Sequence, residues 1–158
     1  MPDSLNPEMF NEQGENQLAG FAALAAPWIE STPDERVSDL MARLQTRADV
    51  EAVFLEHQGN ADRTPRVLIR RAMSRLLGHG GFGTDVMFYK SVAELSERLP
   101  EPLTLDEHTR IEEACRAALE RPLAERYDPI AVRAASGVFV LNFHELLAAQ
   151  ARLLQGTL

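Results

Sequence analysis

Residues 128–143 read Asp128-Pro129-Ile130-Ala131-Val132-Arg133-Ala134-Ala135-Ser136-Gly137-Val138-Phe139-Val140-Leu141-Asn142-Phe143. From Ala134 to Phe143 the run carries no charge and is apolar nearly all round, which suits an element buried between neighbours. Asp128-Pro129 is a good helix start, and apolar residues continue well past Phe143. The stretch therefore reads as one helix to Gln155, about 40 Å long if unbroken, with Gly137 as its weak point. On that reading Val138, Leu141, Phe143, Leu146 and Leu153 form either the centre of the core or the seam of a homodimer, because so apolar a segment does not face water.

Working outward, helical spacing recurs. Leu18, Phe21, Ala22, Ala25 and Trp28 make one stripe, and Val37, Leu40, Met41 and Leu44 make another. Three capping boxes mark expected helix starts: Thr32-Pro33-Asp34-Glu35, Ser91-Val92-Ala93-Glu94, and Thr104 with Glu107. Pro65 is read as opening a helix with Val67, Leu68, Met73, Leu76 and Leu77, which Gly78 closes. The expected fold is all-α, a compact helical bundle of about six helices with a long C-terminal helix. The competing reading is α+β, with a small sheet from residues 50–55 and 85–89. Residues 1–14 are expected to be a loose acidic leader and residues 15–158 a single helical domain; no internal repeat is visible.

Composition bounds the function. The chain has 158 residues, 45% hydrophobic and 25% charged, which fits a globular domain, while 6% aromatic content favours helix over sandwich or barrel. Cys115 is the only cysteine, which excludes an internal disulfide and any two-cysteine zinc or redox motif and fits a reducing, cytoplasmic compartment. The sequence shows neither a basic-flanked signal peptide nor an apolar run long enough to span a bilayer. Fifteen of the sixteen basic residues are arginine, a codon-level hint of a GC-rich bacterial source.

The net charge of −8 argues against a surface devoted to nucleic acid, yet charge is segregated along the chain. Residues 1–35 hold seven acids and no base, whereas residues 63–84 hold Arg63, Arg66, Arg70, Arg71 and Arg75 and no acid. These five arginines are candidate partner-binding residues, for an acidic protein, for nucleic acid phosphates, or for the chain's own acidic amino-terminal region.

The glycine tract is the second candidate. Gly78, His79, Gly80, Gly81 and Gly83 satisfy the letters G-x-G-x-x-G and form a candidate anion-binding loop. Their context differs from a nucleotide fold, because an arginine-bearing helix is read before them where a buried strand is required, and Thr84-Asp85 stands where a phosphate loop needs Lys-Ser/Thr.

Neither catalysis nor a metal site has sequence support. His57, His79, His108 and His144 show no metal-ligand spacing, His108 with Glu112 reads as a solvated ion-pair face, and His144 reads as a core or interface histidine. Cys115 lies on an apolar stripe, two turns from His108 and beyond hydrogen-bond reach on one helix. No cofactor and no metal is therefore expected. The first functional reading is a non-enzymatic accessory or adaptor protein that binds another protein, with a homodimer as a further partner. The alternatives are a nucleic-acid-associated regulator using Arg63–Arg75, or a small phosphate-ligand-binding domain or enzyme using the Gly78–Gly83 loop.

Overall fold

In the computed structural model the stretch 128–143 is not helical: it folds as a β-hairpin running into a helix. Strand β5 (Ile130–Ala134) pairs antiparallel with β6 (Gly137–Leu141), Ile130 opposite Leu141 and Ala134 opposite Gly137. The turn between them is Ala135-Ser136, and Gly137 sits at φ 139°, a conformation that L side chains rarely adopt. Helix α5 (Phe143–Gly156) follows. The structure describes residues 16–56, 64–78 and 86–156.

The all-α expectation is thus overturned. The chain is α+β, with two three-stranded sheets. Among the described residues the other strands are β1 (Trp28–Ser31), β2 (Ala52–Leu55), β3 (Arg66–Ile69) and β4 (Thr104–Asp106), and the other α-helices longer than a single turn are α1 (Val37–Gln45), α2 (Arg70–Leu77), α3 (Val92–Arg98) and α4 (Ile111–Leu119). Short 3-10 helices cover Leu18–Leu24 and Leu123–Glu125. The reason for the misreading is physical: a run apolar on all sides has no period, so helix and doubly buried strand look alike, and the β-branched Ile130, Val132, Val138 and Val140 tip the balance to strand once partners are present.

Other local readings shift in the same way. The segment 50–55 of the α+β alternative does contain a strand, β2, whereas Val86–Phe88 forms a helical turn; residue 85 lies outside the described residues. The helix read from Pro65 is a strand up to Ile69 and a helix only from Arg70. Of the three capping boxes one caps: the Glu94 amide donates to Ser91 Oγ at 3.2 Å. Thr32–Glu35 is a turn closed by Glu35 N–H to the Thr32 carbonyl, and α1 starts only at Val37; Thr104 lies in β4.

The described chain forms two compact units. The first, Ala26–Pro102, has sheet order β1-β2-β3, with β1 parallel and β3 antiparallel to β2. A parallel pair needs a crossover, which α1 supplies. Its core holds Val37, Leu40 and Leu44 of α1, Val53, Leu68, Met73, and Val92 and Leu95 of α3. The second unit joins the residues up to Ala25 to those from Leu103 onward, in sheet order β4-β5-β6 with α4 as the crossover. Its core gathers Leu18, Ile111, Ala114, Cys115, Ile130, Val132, Leu141, Phe143 and Leu146, with Leu153 packed against it.

The two units are built alike, and the backbone carries a repeat that the side chains conceal. In the first unit Val37 N–H donates to the Lys90 carbonyl at 2.9 Å, Val92 to Glu35 at 2.7 Å and Ala93 to Pro33 at 3.1 Å. In the second, Ile111 donates to Asn16 at 2.7 Å, Leu18 to Thr109 at 2.9 Å and Ala19 to Glu107 at 2.8 Å. Each residue in one set stands 74 positions from its counterpart in the other, as Lys90 from Asn16 and Ile111 from Val37. Residues 16–19 and 33–37 share only Ala19 and Arg36 with their counterparts Ala93 and Arg110. The leading segment of each repeat packs within the unit built mainly from the other repeat, so contact order and chain order diverge.

Candidate functional site

The first sheet is laid out in rows. Trp28, Ala52 and Ile69 are register partners in one row, and Glu30, Phe54 and Val67 in another, so these six side chains share one face. The Trp28 indole lies flat on the Phe54 ring, centroids 4.2 Å apart and planes 8° from parallel. Phe54 is 6% exposed and Trp28 41%. Because Ile69 is also the residue preceding α2, the row that begins at Trp28 ends at a helix amino terminus. Two inter-strand spacings separate them, about 10 Å.

That helix start is suited to negative charge. The first turn of α2 contains Arg70 and Arg71 and no acid, and no side chain caps it. The Arg70 amide donates to the Glu51 carbonyl at 3.0 Å, and the positive end of the helix dipole lies at the end of the sheet.

The arginines named from the sequence do different jobs. Arg63 lies outside the described residues. Arg66, in β3, places Nη2 3.5 Å from Glu101 Oε1 and 3.5 Å from the Leu99 carbonyl, while its buried Nε has no hydrogen-bond partner among the described residues. Arg70 turns its guanidinium inward: Nη1 donates to the carbonyls of Arg47 at 2.7 Å and Val50 at 3.1 Å, and Nη2 to that of Leu44 at 3.0 Å. Arg71 is exposed in the first turn of α2, and Arg75 is half-buried in its last.

Gly78 ends α2, as read, with its amide on the Ser74 carbonyl at 2.7 Å. A Cβ there would fall 2.5 Å from that oxygen, so the close approach requires glycine. His79, Gly80, Gly81 and Gly83 lie outside the described residues, as does His57. Val138 is half-buried in β6, while Leu141, Phe143 and Leu146 are buried in the second unit's core, with Leu153 against them.

Near β1 a charged network fixes the turn into α1. Ser31 Oγ donates to Glu35 Oε1 at 2.6 Å, and Arg43 grips the same carboxylate through Nη2 at 2.7 Å and Nε at 2.9 Å. Arg43 also donates to the Glu30 carbonyl at 2.8 Å, tying α1 to β1. Burial pushes the Glu35 carboxyl up, but the hydrogen bonds from Arg43 and Ser31 and the Arg43 charge outweigh it and hold the group below its ordinary value. Cys115 is 1% exposed and desolvation raises its thiol, which keeps it protonated and inert.

His108 is exposed, its Nδ1 3.3 Å from Gln17 Oε1. His144 is exposed beside Glu145, not a core residue. Among the described residues no three His, Cys, Asp or Glu side chains gather where they could hold a metal, and no helix is long and apolar enough to cross a membrane.

Sequence reading missed Trp28 and Phe54 as a pair. Trp28 fits the helical stripe from Leu18, and the signal that could have freed it was local: Pro27 before it and β-branched Ile29 after it.

No family model matches the chain, and no curated protein matches it. Solved structures do. A CBS-pair protein from Arabidopsis thaliana is 18% identical, with a TM-score of 0.56 over 88% of this chain and 96% of that one. A CBS domain-containing protein from Thermotoga maritima is 17% identical, with a TM-score of 0.58 over 84% and 92%. The CBS domain of a bacterial CNNM/CorC family Mg2+ transporter, solved in complex with ATP, is 13% identical, with a TM-score of 0.54 over 90% and 92%. Two α+β units built as a backbone repeat, matched over most of each chain, give this protein the fold of the CBS-domain pair.

Proposed function

We propose that the chain is a regulatory domain that senses a small phosphate-bearing ligand of the nucleotide class. The observation that carries the reading is the acid-free, uncapped start of α2 at the end of the row that begins with Trp28. The helix dipole favours a phosphate there, and residues 63–84 carry five arginines and no acid. The shared fold adds support, since the CBS domain of the CNNM/CorC transporter was solved with ATP.

This placement differs from the glycine loop. Gly78 stands at the carboxyl end of α2, where unpaired carbonyls disfavour an anion, so the phosphate belongs at the opposite end of the helix. Ligand occupancy would then act on affinity for a protein partner through coupling between the two sites.

Calorimetry and thermal melting with ATP, ADP, AMP and inorganic phosphate test the reading. A bound ligand at a hundredfold excess over its Kd should stabilise the protein by about 2.7 kcal/mol. Arg71→Glu, which puts a carboxylate in the first turn of α2, should weaken binding. Absence of heat and of any shift in Tm with all four compounds would remove the proposal.

A further inference from the structure

We infer that residues 18–25 are a two-state segment, a 3-10 helix here that converts to an α-helix, and that the missing side-chain cap at Gln17 holds it in the 3-10 form. The backbone repeat supplies the comparison. Leu18–Leu24 corresponds residue for residue to Val92–Arg98, 74 positions on, yet the first stretch is a 3-10 helix and the second is α3. Both begin alike: the Leu18 and Ala19 amides donate to the Thr109 and Glu107 carbonyls, as those of Val92 and Ala93 donate to Glu35 and Pro33. They part at the next amide. In α3 the Glu94 amide donates to Ser91 Oγ at 3.2 Å, which leaves the Ser91 carbonyl to the Leu95 amide at 3.1 Å, the i to i+4 bond of an α-helix. Gln17 provides no such cap, its Oε1 lying 3.3 Å from His108 Nδ1, and the Gly20 amide donates instead to the Gln17 carbonyl at 3.1 Å, closing an i to i+3 turn.

Seven residues is long for a 3-10 helix, whose hydrogen bonds are poorer than those of an α-helix. The composition favours the α form, since Leu-Ala-Gly-Phe-Ala-Ala-Leu is made mostly of the strongest helix formers. So does the stripe Leu18, Phe21, Ala22 and Ala25, whose counterparts Val92, Leu95, Ser96 and Leu99 are all buried. Side-chain alignment opposes it. Three residues per turn place Leu18, Phe21 and Leu24 in one line, with Leu18 buried, Phe21 packed against the core and Ala22 exposed. The α form would turn Ala22 and Ala25 inward and move Leu24 to the exposed place that Arg98 occupies in α3. Better hydrogen bonds are thus set against the contacts of one leucine that is already 42% exposed, which leaves the two forms close in energy. The α form is shorter by about 3.5 Å over the segment, and Ala26-Pro27 pass that change along the chain to β1 and Trp28. The segment is a conformational device independent of the phosphate reading above.

NMR on the full chain tests it, with wild type beside Gln17→Ser, which copies the cap at Ser91. Relaxation dispersion of wild type should show microsecond-to-millisecond exchange in residues 18–25. In Gln17→Ser the balance should move roughly 5-fold toward α, the worth of one N-cap, and proton contacts of the i to i+4 type, Leu18 with Ala22 and Phe21 with Ala25, should gain on those of the i to i+2 type. Gln17→Ala, which removes the side chain and adds no acceptor, should keep the 3-10 pattern. Unchanged chemical shifts in α4 and α5 show that each variant is folded.

Wild type without exchange in residues 18–25, or Gln17→Ser with the balance unmoved, would overturn the two-state segment. Conversion by Gln17→Ala to the same extent as by Gln17→Ser would overturn the role of the missing cap.

Discussion

The Arg70 guanidinium donates to the carbonyl of Leu44 at 3.0 Å across 26 residues of sequence, and so ties the start of α2 to the end of α1. With the Arg47 and Val50 carbonyls also taken, one side chain satisfies three acceptors where α1 unwinds toward β2. Arg70 thus acts within the fold, whatever Arg71 contributes at the surface.

Arg70→Ala should lower stability by about 1–3 kcal/mol, because charged hydrogen bonds are lost and carbonyls near the core are left to water. Arg70→Lys should recover little, since a single ammonium cannot span the fork. Urea denaturation of the three proteins checks this; an unchanged midpoint in Arg70→Ala would show that the contacts are worth nothing net.

Glu35 gives a pH dependence of known sign. Its carboxyl is held below its ordinary value in the folded protein, so the unfolded chain binds the proton more readily. The stabilisation is complete above the ordinary glutamate value and is lost as pH falls through the lower folded one. Glu35→Gln should therefore cost about 1–2 kcal/mol at neutral pH and almost nothing at strongly acid pH. A gap between the two proteins that stays constant down to acid pH would contradict the network.

Gly137 should resist substitution through backbone strain alone. Its φ of 139° excludes ordinary side chains, yet nothing lies within 4 Å of an added Cβ. Gly137→Ala should cost about 1–3 kcal/mol in thermal or urea unfolding without altering the far-ultraviolet spectrum. A neutral substitution would mean that the hairpin turn relaxes freely.

Leu141, 1% exposed in the second unit's core, should not tolerate charge. Leu141→Asp buries an unpaired carboxylate and should cost several kcal/mol, enough to abolish a cooperative melt. A folded variant of halved mass in light scattering would instead place the residue at a seam between copies.

The sequence by itself determined the apolar positions, the Ser91 cap that starts α3, the glycine that stops α2 and the unreactive setting of Cys115. Each rests on neighbours within a turn or two, where local chemistry suffices. Only tertiary structure decided the rest. All four residues of β2 are buried, as are Ile130, Ala131 and Val132 of β5, so no polar face marks a period, and strand won over helix only when partners 7–27 residues away took up the backbone hydrogen bonds. The repeat is likewise kept in backbone pairing and buried positions, while its exposed residues diverged. Trp28 meets Phe54 because β1 and β2 are parallel and in register, a relationship that no local pattern encodes.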